Sequence, residues 1–548
     1  MSTAVALAAQ LAVIEEAMRG ADRISAINKA VEALRQGVRH PLVWGLVAEG
    51  LEIQGRKAEA LRLLQLSADA APDNAQTWFR LGRILFSLDR RVEARDALDR
   101  GLTIIPRDYS ALIDAGTVCL RLADLVAAAG HFRRAAEVDP EAAEPLSALA
   151  VVAALDGDMP AARAFAAHAL TLSPRLVSAQ IAIARADAAE GAPGLAEQRL
   201  TALLERQDLT DAQRIDAFDL RAECRDALDR CAEAFDDYSS RNATMLQMET
   251  PIFAVAGRET QGDRARRIAA WLQTRSSNAW VASAGSDTVG ARETRRHVFL
   301  VGFPRSGTTL LERVLTSHPD IVALEEIDAL GVAGTGLLDT DTGLKNLLEL
   351  KPEEAIGRRR LYWNSVRQAM GEAIGDRIFV DKMPLHTVAL PLIAQLFPDA
   401  RILFALRDPR DVVLSCFRRR FRINAAMFEF LTLQGAARYY DTVMQLAAFA
   451  RERLSLNLID VRHEAVVADF DCEIRKVLDF LGAPWDPLVR GFATQVRTIP
   501  KTPSAPQVAR GLNADGVAQW RRYQAQLTPV ACVLAPWVER FGYDPAGL

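Results

Sequence analysis

Two textures of hydrophobic and polar positions divide the chain near residue 297. Before it, apolar and small residues recur at helical spacing, and the pattern itself repeats. Pro72, Pro106, Pro140 and Pro174 stand 34 residues apart. Aligned on these prolines, Trp44, Trp78, Leu112 and Leu146 share one column, Ala48, Gly82, Gly116 and Ala150 a second, and Ala60, Ala94, Ala128 and Ala162 a third. Each unit is therefore predicted to hold two helices. The small residues mark where the pair approaches closely, and the proline stops the second helix before the next begins. After Arg296 the texture changes to short β-rich runs at 297–302, 321–324, 377–381, 401–406 and 456–461, separated by helical patterns. That alternation predicts a parallel sheet with helices on both faces.

The bulk numbers narrow this picture only a little. A chain of 548 residues is too long for one ordinary core, and a net charge of −4 argues against a dedicated nucleic-acid binder. The six cysteines are scattered, with neither zinc-ligand nor disulfide-framework spacing. The N-terminal stretch lacks an early basic residue and is interrupted by Glu15 and Glu16, so it does not read as a signal segment. No run of about 18 uncharged apolar residues occurs. The expectation is a cytoplasmic protein with no membrane partner.

The repeated pattern resembles the tetratricopeptide repeat. Roughly six units are expected over residues 1–245, with degenerate ones at Ala26–Ala33 and Ala217–Tyr238 serving as caps. The resemblance implies a concave groove of the kind that holds peptides, here an acceptor peptide or protein. Residues 246–296 combine helical stretches such as ARRIAAWLQ (265–273) with a small, polar segment, and are expected to be a linker. Residues 297–548 form the second domain.

The candidate chemistry lies in that domain. The strand ending at Gly302 runs into Phe303-Pro304-Arg305-Ser306-Gly307-Thr308-Thr309 and then an amphipathic helix. Such a turn aims backbone N–H groups at an anion, which the helix dipole also favours. The spacing approaches a Walker A loop, but Thr308 stands where that motif needs lysine, which argues against nucleoside triphosphate hydrolysis. Arg305 supplies a cation instead. A second strand, turn and helix spans 397–417, with Pro409 suited to the first helical turn. Arg407 ends its strand and Ser415 follows eight residues later, a guanidinium and a hydroxyl suited to a phosphate.

Together these segments resemble the 5′-phosphosulfate loop and the 3′-phosphate motif of sulfotransferases, with most similarity to the tyrosylprotein sulfotransferases. The implied fold is an all-α tetratricopeptide-repeat array followed by an α/β, P-loop-like sulfotransferase domain. The implied co-substrate is 3′-phosphoadenosine 5′-phosphosulfate (PAPS), without metal, bound by Arg305, Ser306, Gly307, Thr308, Thr309, Arg407 and Ser415. In SHPDIVALEE (317–326) the resemblance puts the catalytic base at Glu326, with Glu325 as the alternative. Lys382, in Asp381-Lys382-Met383-Pro384, falls beside the transferring group, where it and Arg305 are expected to aid catalysis. Ser504 and Arg510 fall in a donor-clamping loop, from whose pattern Pro506 and Gly511 depart.

His386 is a less favoured base, and His318 and His463 are expected to be structural. The basic run Arg418–Arg422 is open between ligand attraction and a solvated face, and Arg438-Tyr439-Tyr440 between adenine contacts and packing. The implied reaction sulfates a hydroxyl, with protein tyrosine favoured over carbohydrate and small-molecule acceptors. The competing readings are a repeat scaffold with an inactive sulfotransferase-like domain and a P-loop kinase or nucleoside triphosphatase.

Overall fold

The computed structural model describes residues 3–19, 22–255, 259–274, 294–371, 374–493 and 512–546. The chain folds as two compact units, Met1–Cys224 and Arg225–Leu548.

In the first unit, helices pair in succession: Pro41–Ile53 with Lys57–Ala70, Ala75–Ser87 with Arg91–Ile104, Tyr109–Arg121 with Leu125–Val138, and Ala143–Asp156 with Met159–Leu172. Each proline of the 34-residue series lies two residues beyond the end of a second helix. The small-residue columns are close contacts. Ala60, Ala94, Ala128 and Ala162 are completely buried. A Cβ on Gly82 would lie 2.5 Å from Leu98 Cγ, and one on Gly116 would lie 2.5 Å from the Phe132 ring. Asn74 and Asp108 cap the helices that follow them by accepting from the backbone N–H of Thr77 and Ala111. The unit is an all-α repeat array.

The second unit is built on a five-stranded sheet in the order β2-β3-β1-β4-β5. The strands are β1 (Arg296–Gly302), β2 (Ile321–Glu325), β3 (Ile378–Lys382), β4 (Arg401–Leu406) and β5 (Asn457–Arg462). Every pairing is parallel. Alternation along β1 serves both faces. Val298 and Leu300 pack with Leu311, Val314, Ile474 and Leu478 on one side. His297 and Phe299 meet the rings of Tyr362 and Phe397 on the other. A fully covered parallel sheet is expected to read as continuous apolar runs, which is what marked these strands. From central β1 the chain moves to one side for β2 and β3 and to the other for β4 and β5. Crevices at such reversals, beyond the carboxyl ends of the strands, are where open α/β sheets bind ligands.

Candidate active site

The carboxyl edge of the sheet collects the candidate residues because each lies at or after the end of a strand. β1 ends at Gly302 and leads through the phosphate loop into the helix Thr308–Thr316, whose N-cap is Gly307. Gly307 has φ +99°, and a Cβ there would lie 2.9 Å from His463 Nδ1, so only glycine fits. Arg305, also left-handed at φ +72°, is held in that conformation without being glycine. Non-glycine residues seldom adopt it, and strain of this kind concentrates at functional sites.

β4 ends at Leu406, and Arg407 turns back onto the loop: its Nη1 donates to the carbonyl of Arg305 at 3.0 Å. Arg407 also donates to the carbonyl of Gly516. The helix Pro409–Arg418 then brings Ser415 to the same place, where its hydroxyl accepts from Arg305 Nε at 2.9 Å. The phosphate loop and the Arg407–Ser415 segment thus form one cationic pocket. Burial, with Arg419 and Arg407 nearby, pushes the Arg305 guanidinium down to about 9. Cations crowded together out of water favour an anion among them. Arg407 Nε is buried and has no hydrogen-bond partner among the described residues, a donor that suits a phosphate oxygen. Ser306, Thr308 and Thr309 are buried along the loop and the first turn of its helix.

A second cluster forms at the ends of β2 and β3. Glu325 is the register partner of Lys382, and Glu326 N–H extends the ladder by donating to the Lys382 carbonyl at 3.0 Å. Glu326 then leaves the sheet with φ +49°. Lys382 is completely buried among carboxylates, with Nζ 2.9 Å from Glu326, 3.1 Å from Glu312 and 3.5 Å from Glu325. Burial acts to lower the Lys382 pKa, but Glu312, Glu326 and Glu325 outweigh it and the net shift is upward. Glu312 is pushed up to about 7, mainly by burial and against the pull of Lys382. Sequence reasoning missed Glu312. It stands four residues after Thr308 on the loop helix, and that spacing was the available signal.

Three other groups bear on the site. Asp411, pushed up to about 6 by burial, accepts from the backbone N–H of Ala518 and Trp520 at 2.8 Å each, tying the C-terminal segment to the Ser415 helix. Burial first, then Arg407 and Arg305, holds His463 neutral, down to about 3. His318 bonds the Pro484 carbonyl at 2.9 Å, a structural role. Of the basic run, Arg418 pairs with Asp226 and lies over the rings of Tyr238 and Tyr523. Tyr439 and Tyr440 are buried against Phe303, as packing requires. Ser504 and Arg510 lie outside the described residues.

Beside the carboxylate cluster opens a cavity of about 530 Å³. Asp328 and Met383, from the segments just past Glu326 and Lys382, line its wall, with Leu330, Leu338, Leu385 and Leu392 as its aliphatic surface. His386 also reaches it, with Nε2 3.2 Å from Asp328. Among the described residues, no helix is long and apolar enough to cross a membrane.

Comparison with known proteins agrees with this geometry. Residues 297–487 match the model of a family described as the sulfotransferase family. An uncharacterised protein of Aquifex aeolicus is 26% identical over 248 residues, 44% of this chain and 32% of that one. Protein-tyrosine sulfotransferase A of Caenorhabditis elegans is 25% identical over 283 residues, 47% of this chain and 69% of that one. The nodulation protein NoeE of Sinorhizobium fredii is 29% identical over 218 residues, 36% of this chain and 51% of that one. The chain thus spans about a third to about seven tenths of these relatives. Among solved structures, a tetratricopeptide repeat protein from Parabacteroides merdae overlaps 43% of this chain and 93% of its own, at 16% identity and a TM-score of 0.36. Within this chain, residues 297–487 thus match the sulfotransferase family, and the residues before Cys224 form an all-α array of paired helices.

Proposed function

We propose that the chain transfers a sulfuryl group from PAPS to an acceptor hydroxyl, with a tyrosyl side chain as the favoured acceptor. The observation that carries this reading is the 2.9 Å bond from Arg305 Nε to Ser415 Oγ. It joins the phosphate loop to the segment whose Arg407 and Ser415 suit a second phosphate, so a donor with phosphates at both ends of its ribose matches both. In the reaction the acceptor oxygen attacks sulfur and the bond from sulfur to the 5′-phosphate oxygen breaks. The electron pair leaves with adenosine 3′,5′-bisphosphate. Glu326 takes the acceptor proton. Arg305 and Lys382 offset the charge that grows on the leaving phosphate, as fixed cations do in phosphoryl transfer.

The cavity beside Glu326 and Lys382 supports the acceptor assignment. Its lining sets Leu330, Leu338, Leu385 and Leu392 beside Arg264, Asp328, Asp339 and His386, an apolar wall with polar contacts that a phenol can use. Similar proteins of Caenorhabditis elegans and Danio rerio, among others, carry the name protein-tyrosine sulfotransferase. The repeat array fits a role in holding the peptide around the tyrosine.

Calorimetry with adenosine 3′,5′-bisphosphate and with ADP tests the donor. The bisphosphate is expected to bind at least about tenfold tighter, the worth of one charge-assisted hydrogen bond. Equal binding removes PAPS. With PAPS supplied, sulfation of glycans but not of tyrosine peptides removes the tyrosyl acceptor and leaves the donor in place.

A further inference from the structure

The last four residues of the helix Pro409–Arg418 divide between two neighbours. Ser415 and Cys416 face the phosphate loop, the hydroxyl accepting from Arg305 at 2.9 Å and the thiol donating to the Pro304 carbonyl at 3.4 Å. Phe417 and Arg418 face the helix Cys231–Phe253. The Phe417 carbonyl accepts from Arg241 Nη2 and from Asn242 Nδ2, each at 3.0 Å. The Arg418 carbonyl accepts from Arg241 Nη1 at 2.9 Å. The rings of Phe235 and Phe417 lie 5.0 Å apart.

Carbonyls in the last turn of a helix have no donor within it, and a cation there also meets the negative end of the helix dipole. Arg241 supplies both. It is completely buried, and Asn242 Oδ1 orients its fork at 3.1 Å from Nε and 2.9 Å from Nη2. The Arg418 side chain is drawn the same way, onto Asp226 and the Tyr238 ring. The turn that carries Ser415 is therefore pinned from behind by a helix far from it in sequence.

We infer that Arg241 and Asn242 are positioning residues for recognition of the donor's 3′-phosphate. They fix the end of the Ser415 helix and so hold the Ser415 hydroxyl against Arg305. This inference rests on the donor reading above. A bond lost between Arg241 and the carbonyls frees that turn, and Ser415 moves out of register with Arg305 and Arg407. The 5′-side contacts, made by the loop and its helix N-terminus, stay in place.

The test is calorimetry on the full chain with adenosine 3′,5′-bisphosphate and with AMP, which lacks the 3′-phosphate. Arg241→Met and Asn242→Leu are expected to weaken bisphosphate binding by about tenfold, the scale of one hydrogen bond to a charged group, and to leave AMP unchanged. The KM for PAPS rises accordingly while kcat stays near wild type, and Arg241→Lys restores part of the preference. An unchanged preference in the folded variants, or equal losses for both nucleotides, overturns the inference. Should Arg241→Met fail to fold, Asn242→Leu decides, since it removes the bond to the Phe417 carbonyl and the two that orient the fork but keeps the guanidinium. Wild-type protein that binds the two nucleotides equally overturns the donor reading itself, a result seen before any variant is made.

Discussion

The repeat array and the sheet unit solve burial in opposite ways. In the array, what goes inside is mostly apolar, with Asp187 the one buried charge among the described residues: Ala60, Ala94, Ala128 and Ala162 vanish from the surface, and Gly82 and Gly116 admit Leu98 and Phe132. In the sheet unit a lysine, five arginines and a string of carboxylates are buried among the described residues. Lys382, Arg241 and Arg410 are at most 2% exposed, and Arg305 is 8% exposed. A buried alanine can be replaced at modest expense if the space allows. A buried charge that loses its partner costs about 3–5 kcal/mol. The difference teaches where each unit is fragile: the array to changes of volume, the sheet unit to changes of charge.

That contrast can be broken by experiment. The largest expected effect is on chemistry. Glu326→Gln should lower turnover by about a hundredfold to ten-thousandfold, the usual worth of a positioned base, with bisphosphate binding retained in calorimetry. Turnover close to wild type would remove Glu326 from the mechanism. Next comes volume in the array. Gly116→Val places carbon where the Phe132 ring stands, and overpacking of this kind costs about 1–3 kcal/mol. Thermal unfolding should shift down for the array while nucleotide affinity stays put; a coupled loss of affinity would erase the distinction between the units.

A smaller effect concerns protons. The Glu312 carboxyl is raised from 4.5 to about 7, so between these values the folded chain holds a proton that the unfolded chain has released. Its stabilising contribution is fully present below pH 4.5 and is lost as pH rises through about 7. Denaturant unfolding across that window should show stability falling with pH, and Glu312→Gln should flatten the slope. A slope that survives the substitution assigns it elsewhere. The smallest effect returns to the array. Gly130 lies in the helix Leu125–Val138 with open space where a Cβ would go, so Gly130→Ala should stabilise by about 0.5–1 kcal/mol, opposite in sign to Gly116→Val.

Much of this architecture is legible in the sequence because it is written locally. The array announces itself by period and small residues, and the strands by apolar runs whose observed ends fall within one residue of those expected. Arg305, Lys382, Arg407 and Ser415 can be singled out because each lies at or after a strand end at a motif spacing. Glu312 offers only its spacing from Thr308, and Asp411 and Arg241 offer nothing, since no nearby sequence distinguishes a carboxylate or guanidinium that will be buried from one that faces water. Arg241 even sits where helical periodicity assigns it to the repeats. Its role emerges only when Phe417 and Arg418 arrive, more than 170 residues later.

The clamp from Arg241 and Asn242 also decides where the chain can be cut. A fragment starting at residue 246 follows the repeat pattern faithfully, yet leaves the Phe417 and Arg418 carbonyls without their donors. Dissection of the two halves therefore belongs ahead of Cys231, so that the helix Cys231–Phe253 travels with the sheet. Asp226, which holds Arg418, Arg522 and Tyr523, lies in the last turn of the helix Asp211–Ala227, so a cut that spares its contacts must keep that helix with the sheet as well.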